Sequence, residues 1–296
     1  MTELLQLMVN GLVEGSVYAL GAAGISLVFG PLRIVNFAQG DYLTFGAFAA
    51  VLANLAWRLD MVLSTVFAML ATAVLAVALE FVLWRPMRKR GAKTMSLFIT
   101  SIGLAFILRA SILFVAGSNE REYRVNVFQS YAIGGVRVSE PQLISIAVAL
   151  SAIVATAVLL ARTSFGRAVR AIADSAELAS VAGVDVDRMV VSIWILVGVL
   201  AGLCGMLAGL IQSSFDANLG FNLLLPLFAA VIVGGVGSPY GALLGGLALG
   251  QVEEVSTWSG FFGGVNPIWK PAIAFMVLIV VLLWRPQGLL GRARTL

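Results

Sequence analysis

Along this chain, runs of about twenty apolar residues alternate with short polar connections. A helix needs roughly 20 mostly apolar residues to cross about 30 Å of hydrocarbon. By that rule the spans are Leu4 to Val28, Tyr42 to Trp57, Met61 to Trp84, Met95 to Ala116, Pro141 to Ala161 and Met189 to Gln212. A broken pair follows, Leu223 to Val236 and Gly241 to Val255, and then Ile268 to Trp284. The pattern predicts one domain over residues 1–296, an all-α polytopic transmembrane bundle of about eight or nine spans. Residues 30–41 and 234–241 interrupt it with Gly, Pro and polar side chains. Irregular backbone at membrane depth survives only where protein or a water-filled cavity satisfies it. Transporters use such breaks to aim helix ends at a solute. A plain surface turn is the alternative at each place.

The basic residues set an expected orientation. Arg85, Arg88, Lys89, Arg90 and Lys93 form one cluster, Arg162, Arg167, Arg170 and Arg188 a second, and Arg285, Arg292 and Arg294 a third. Cytoplasmic loops carry an excess of Lys and Arg. These three segments are therefore expected inside, and residues 117–140 and 213–222 outside. Nine crossings result, with the N-terminus outside and the C-terminus inside. Eight result if the broken pair counts once or the short second span is re-entrant. No Lys or Arg precedes Arg33, so a cleaved signal peptide is not expected.

Composition narrows the chemistry. Hydrophobic residues make up 60% of the chain and charged residues 11%, against about 25% charged in soluble domains. Histidine is absent, and the one cysteine, Cys204, lies in a Gly/Leu-rich run that reads as helix packing. Cys/His zinc sites, disulfides and Ser-His or Cys-His nucleophile systems are thereby excluded. No catalytic residue, metal or cofactor is expected. The net charge of +4 sits between spans and fits membrane orientation, not nucleic acid. Gly91-Ala92-Lys93-Thr94 has the end of a P-loop without its upstream glycine, so no ATP site is expected.

Charges inside spans are costly, about 2.5–3.5 kcal/mol on insertion scales. Glu14 reads as the only deeply placed acid, and Arg109 lies in the same outer half. The two are positioned to pair with each other, to sit at separate wet sites, or to contribute to a solute pathway. Glu80, Arg85, Glu253, Glu254 and Lys270 lie near span ends and are expected to snorkel. Gly198/Gly202, Gly205/Gly209, Gly241/Gly245 and Gly246/Gly250 have the spacing of close helix contacts.

The segment Thr163 to Val184 is too polar to span and too regular for a loose loop. On a helix, Arg167, Arg170, Asp174 and Glu177 share one stripe, and Phe165, Ala168, Val169, Ile172, Ala176 and Ala179 share the opposite face. Ser164 is placed to cap its start and Gly183 to end it. The arginines lie at the N-terminal end and the acids nearer the C-terminal end, against the helix dipole by about 0.3–1 kcal/mol per charge. Local helix stability does not explain them, and a partner that reads them does. A solvated surface helix, or one lying on lipid, is the alternative.

The run from Phe165-Gly166-Arg167-Ala168 to Ala182-Gly183-Val184-Asp185-Val186-Asp187-Arg188 resembles the coupling segment of branched-chain amino-acid ABC transporter permeases of the LivH type. Residues 10–20, 35–41 (Val-Asn-Phe-Ala-Gln-Gly-Asp) and 229–242 resemble the same family, in order and over nearly the whole chain. The resemblance implies a bacterial inner-membrane importer. A periplasmic binding protein delivers solute, two permease subunits (this one with itself or a sibling) form the pathway, and two cytoplasmic ATP-binding subunits supply energy. It implies ATPase coupling through Phe165, Gly166, Arg167, Arg170, Asp174, Glu177 and Gly183. A solute pathway would draw on Glu14, Asn36, Gln39, Arg109, Gly234 and Gly235. Glu14 stands where the family commonly has a small or apolar residue, and Gln39 where it often has histidine. Related permeases carry urea or short amides. A stand-alone secondary transporter or channel is the alternative class, and it usually needs a relay of buried acids.

Overall fold

The computed structural model describes residues 2–124, 130–133, 136–260, 265–285 and 287–290. Arg292 and Arg294 of the basic tail lie outside them. In chain order the helices are α1 (Thr2–Leu32), α2 (Gln39–Val51), α3 (Met61–Leu79), α4 (Arg85–Lys89), α5 (Thr94–Ala116), α6 (Glu140–Arg162), α7 (Ser164–Asp174), α8 (Ala176–Val181), α9 (Val186–Gln212), α10 (Leu219–Gly234), α11 (Pro239–Val255) and α12 (Lys270–Trp284). A π-helical turn, Leu52–Ala56, extends α2, and another, Glu80–Trp84, joins α3 to α4.

Among the described residues, six helical stretches are long and apolar enough to cross a membrane alone. They are α1, α3 through α4, α5, α6, α9, and Pro267–Trp284 with α12. The shorter α2, α10 and α11 account for the three remaining predicted spans. These three have many buried residues, and α1 and α9 are the most buried of the long helices. Short helices are tolerated there because neighbouring protein, not lipid, surrounds them.

Two ends of the bundle are distinguished by their contacts. At one, here the basic end, Arg85 pairs with Asp187 at 2.5 Å. At this end too, Arg33, Thr94, Arg170, Ser238 and Leu290 line one cavity. At the other, the strand end, Glu3 accepts from Ser259 and Gln6 bonds the backbone of Arg137. Two small antiparallel pairs stand here: β1 (Arg121–Glu122) with β4 (Ser214–Phe215), and β2 (Ser130–Ile133) with β3 (Val136–Ser139). The polar connections expected outside, residues 117–140 and 213–222, thus carry strands in an otherwise helical chain. The chain enters at the strand end and its last described residues lie at the basic end, as an odd number of traversals requires.

The second traversal differs from the rest. After α1 the chain turns back into the bundle through an extended stretch, and α2 starts inside it. A Cβ on Gly24, well within α1, would lie 2.8 Å from Gln39 Nε2. Phe37 stacks on Phe228, at 6.1 Å, and meets Phe98 edge-on. Gly40 and Gly220 touch backbone to backbone, an approach no larger residue permits.

Candidate functional site

The re-entrant stretch is held by side chains that replace a helix's own bonds. Phe37 N–H donates to Ser101 Oγ at 3.0 Å, and the one Ser101 hydroxyl proton is shared between Phe98 O at 2.7 Å and Val35 O at 3.2 Å. Asn36 and Gln39, both fully buried, face each other at 3.5 Å. Asn36 Oδ1 and Gln39 Nε2 have no hydrogen-bond partner among the described residues. Unmatched polar groups in a dry interior are costly, so this place suits a polar guest or water. Beneath it, Trp194 lies between Tyr42, which meets it edge-on at 6.3 Å, and Trp84, which stacks on it at 5.9 Å.

The membrane charges pair differently from the sequence expectation. Glu14 accepts from Lys270 Nζ at 3.3 Å, not from Arg109. The same ammonium bonds Glu254, and Glu253 accepts from Tyr18 at 2.9 Å. Arg109 instead engages Asp41, Nε to Oδ1 at 3.1 Å and Nη2 to Oδ2 at 3.4 Å, with side-chain exposures of 13% and 0%. Glu14 is therefore not the only deep acid. Asp41 escaped notice because the loop carrying it folds back into the bundle. Glu80, Glu253 and Glu254 do not snorkel either; all three are buried. Their depth is compensated by Arg88 on Glu80 and by Lys270 and Tyr18 on the others. Arg85 reaches the surface, as expected, and pairs with Asp187.

At the basic end, the segment between α6 and α9 is a bent pair of helices, not one rod. The break falls at Ser175, whose Oγ accepts from Leu178 N–H and caps α8. Thr163, not Ser164, caps α7 by accepting from Gly166 N–H. A Cβ at Gly166 would collide with the backbone of Leu160, so glycine is what lets α7 fold back on the end of α6. Arg167, Arg170, Asp174 and Glu177 are exposed, and Val169, Ile172 and Ala179 are buried, as the stripe predicts. Ala176 is exposed, because the break resets the helical phase. Arg170 Nη1 donates to Leu160 O at 2.5 Å. A cation is favourable at that helix C-terminus, which explains one of the two arginines that opposed the α7 dipole. Arg167, Asp174 and Glu177 make no side-chain hydrogen bond or ion pair among the described residues. Sequence reasoning missed Leu178 and Val181, 71% and 87% exposed beside them. The available signal was two large apolar residues in a segment too polar to span. Gly183, with φ of 88°, ends the segment.

Gly234 closes α10 and Gly235 starts the turn to α11 with φ of 111°. Leu289 and Leu290, beyond α12, donate backbone N–H groups to Val233 O and Gly234 O at 2.8 and 3.0 Å. The turn, α7 and the end of α1 enclose a cavity of about 560 Å³. The structure does not bring the site residues into one place. Asn36, Gln39 and Arg109 lie around α2, Glu14 on the far side of α1, and Gly234 and Gly235 near α7.

This is the layout of a polytopic membrane permease: a packed helical bundle, an interrupted interior and a two-faced projection at one end. The chain matches, over residues 7–282, the family described as the permease component of branched-chain amino acid transport systems, and it belongs to that family. It is 31% identical to the high-affinity branched-chain amino acid transport system permease protein BraD of Pseudomonas aeruginosa, covering 97% of this chain and 96% of that one. It is 29% identical to LivH of Escherichia coli K12 over the same shares. The galactose/methyl galactoside import permease MglC of Haemophilus influenzae aligns at 32% identity with 62% of this chain and 56% of its own. Among solved structures, PsaBC from Streptococcus pneumoniae in complex with Fab aligns with 97% of this chain and 93% of that one, at 15% identity and a TM-score of 0.49.

Proposed function

We propose that this chain forms part of the pathway of an ATP-driven importer for branched-chain or chemically related amino acids. The basic end faces the cytoplasm, as the Lys and Arg excess favours. Two ATP-binding subunits dock on α7 and α8, a second permease (a copy or a sibling) completes the pathway, and a periplasmic binding protein delivers the solute. The observation that carries this reading is the projecting edge at α7 and α8. It joins Arg167, Asp174 and Glu177, unpaired among the described residues, to the uncovered Leu178 and Val181. An apolar knob ringed by charge is the anatomy of a docking surface.

The reading makes a direct prediction. Arg167→Glu and Glu177→Arg each abolish coupling of uptake to ATP hydrolysis in the assembled transporter, with normal amounts of complex in the membrane. Normal uptake by both variants removes the docking role. Radiolabelled L-leucine and urea are offered in parallel to the intact transporter. Uptake of urea without leucine replaces the proposed solute.

A further inference from the structure

We infer that Asp41 and Arg109 form a pair-exchange site that reads the two charges of a zwitterionic solute. This inference rests on the amino-acid reading above. Arg109 lies seven residues before the end of α5 at Ala116, about 10 Å below the strand end at 1.5 Å per residue. It uses Nε and Nη2 on Asp41. Nη1, with two further donors, has no hydrogen-bond partner among the described residues, and the side chain is not fully covered. A guanidinium nitrogen left open at this depth cannot face lipid tails at low cost. On this inference it faces the solute pathway.

The surroundings favour an anion. Gly40 and Gly220 are each the second residue of a helix, and their contact brings the N-termini of α2 and α10 together. Both helices direct positive dipole ends to this place, and Arg109 adds a full charge. Asp41, in the first turn of α2, balances them when the site is empty. The Phe221 ring lies 4.3 Å from the guanidinium carbon. Phe221 and Leu225, one turn apart on α10, are 46% and 38% exposed and form an apolar ledge beside the charges.

A branched aliphatic amino acid matches all three features. Its carboxylate takes the open side of Arg109, and Arg109 swings off Asp41. Its ammonium then replaces the guanidinium on Asp41, and its side chain rests on Phe221 and Leu225. No buried charge is left unpaired at either stage, which keeps the barrier to passage low. A neutral solute cannot make this exchange.

The test uses the assembled transporter with its binding protein in proteoliposomes and L-leucine as the probe. The double variant Asp41→Asn with Arg109→Gln keeps hydrogen bonding and removes both charges. The expected result is at least a tenfold loss of leucine uptake, with recovered complex and melting temperature unchanged. A merely structural pair would leave uptake within twofold of the original at that same stability, and that result overturns the inference. If the neutral pair does not assemble, the reversed pair, Asp41→Arg with Arg109→Asp, is measured. It preserves the ion pair but turns a carboxylate to the pathway. Loss of uptake supports the inference and retention overturns it. If the unaltered transporter moves no leucine, the failure lies in the proposed solute instead.

Discussion

At the scale of single residues, depth was legible in the sequence and azimuth was not. Counting along a span places Glu14 and Arg109 at similar heights. Whether two residues face each other depends on which helices are neighbours, and no periodicity within one span encodes that. Glu14 meets Lys270, 256 positions away. One ammonium there serves two carboxylates, Glu14 and Glu254, with Glu253 held by Tyr18 alongside. Removing one partner of a buried pair costs about 3–5 kcal/mol, because the stranded charge stays desolvated. Lys270→Met is therefore expected to lower thermal stability in detergent sharply. Adding Glu14→Gln and Glu254→Gln should restore more than half of that loss. A single variant as stable as the original would show that the cluster is wet and weak.

At the scale of elements, the segment from Thr163 to Val184 shows what a helical wheel can and cannot do. The stripe from Arg167 to Asp174 is correct because those residues share one helix, α7. The wheel fails at Ala176, past the Ser175 break. A serine followed by Ala-Glu-Leu is also an N-cap signature, and that was the clue to two helices. Ser175→Ala removes the cap on Leu178 N–H, at a cost of about 0.5–2 kcal/mol. The expected outcome is faster hydrogen exchange over Ala176 to Ala179 with α7 unchanged. Equal exchange in both proteins would mean that packing by Ala179 alone holds α8. The re-entrant start of α2 was legible as an interruption from the Gly, Pro and polar residues of 30–41, although Gly30 and Pro31 close α1 and Gly40 lies within α2, and the break itself falls at residues 33–38. Its depth was not, because it depends on Ser101 of another helix bonding the free backbone.

At the scale of the molecule, the alternation of spans and basic clusters carried most of the architecture. Nine predicted apolar segments correspond to α1, α2, α3, α5, α6, α9, α10, α11 and α12. What the alternation could not supply was the packing that lets short helices sit inside the bundle. The proposed orientation has a direct check. Cys204 is buried, so the background is kept or set to Cys204→Ser. In intact cells, Ser259→Cys is expected to react with a membrane-impermeant maleimide. Arg167→Cys should react only once the membrane is opened. The reverse pattern would put α7 and α8 on the wrong side for an ATPase.

The bonds from Leu289 and Leu290 to the last carbonyls of α10 carry a consequence for the order of biogenesis. A ribosome delivers α10 well before it delivers those two donors. Until α12 has been threaded through the bilayer, two acceptors at the end of α10 wait on water or on translocation machinery. The Gly234 turn beside α7 is thus completed by a segment made more than fifty residues later, so a nascent chain stalled before α12 would present an unfinished face to any motor subunit that arrived early.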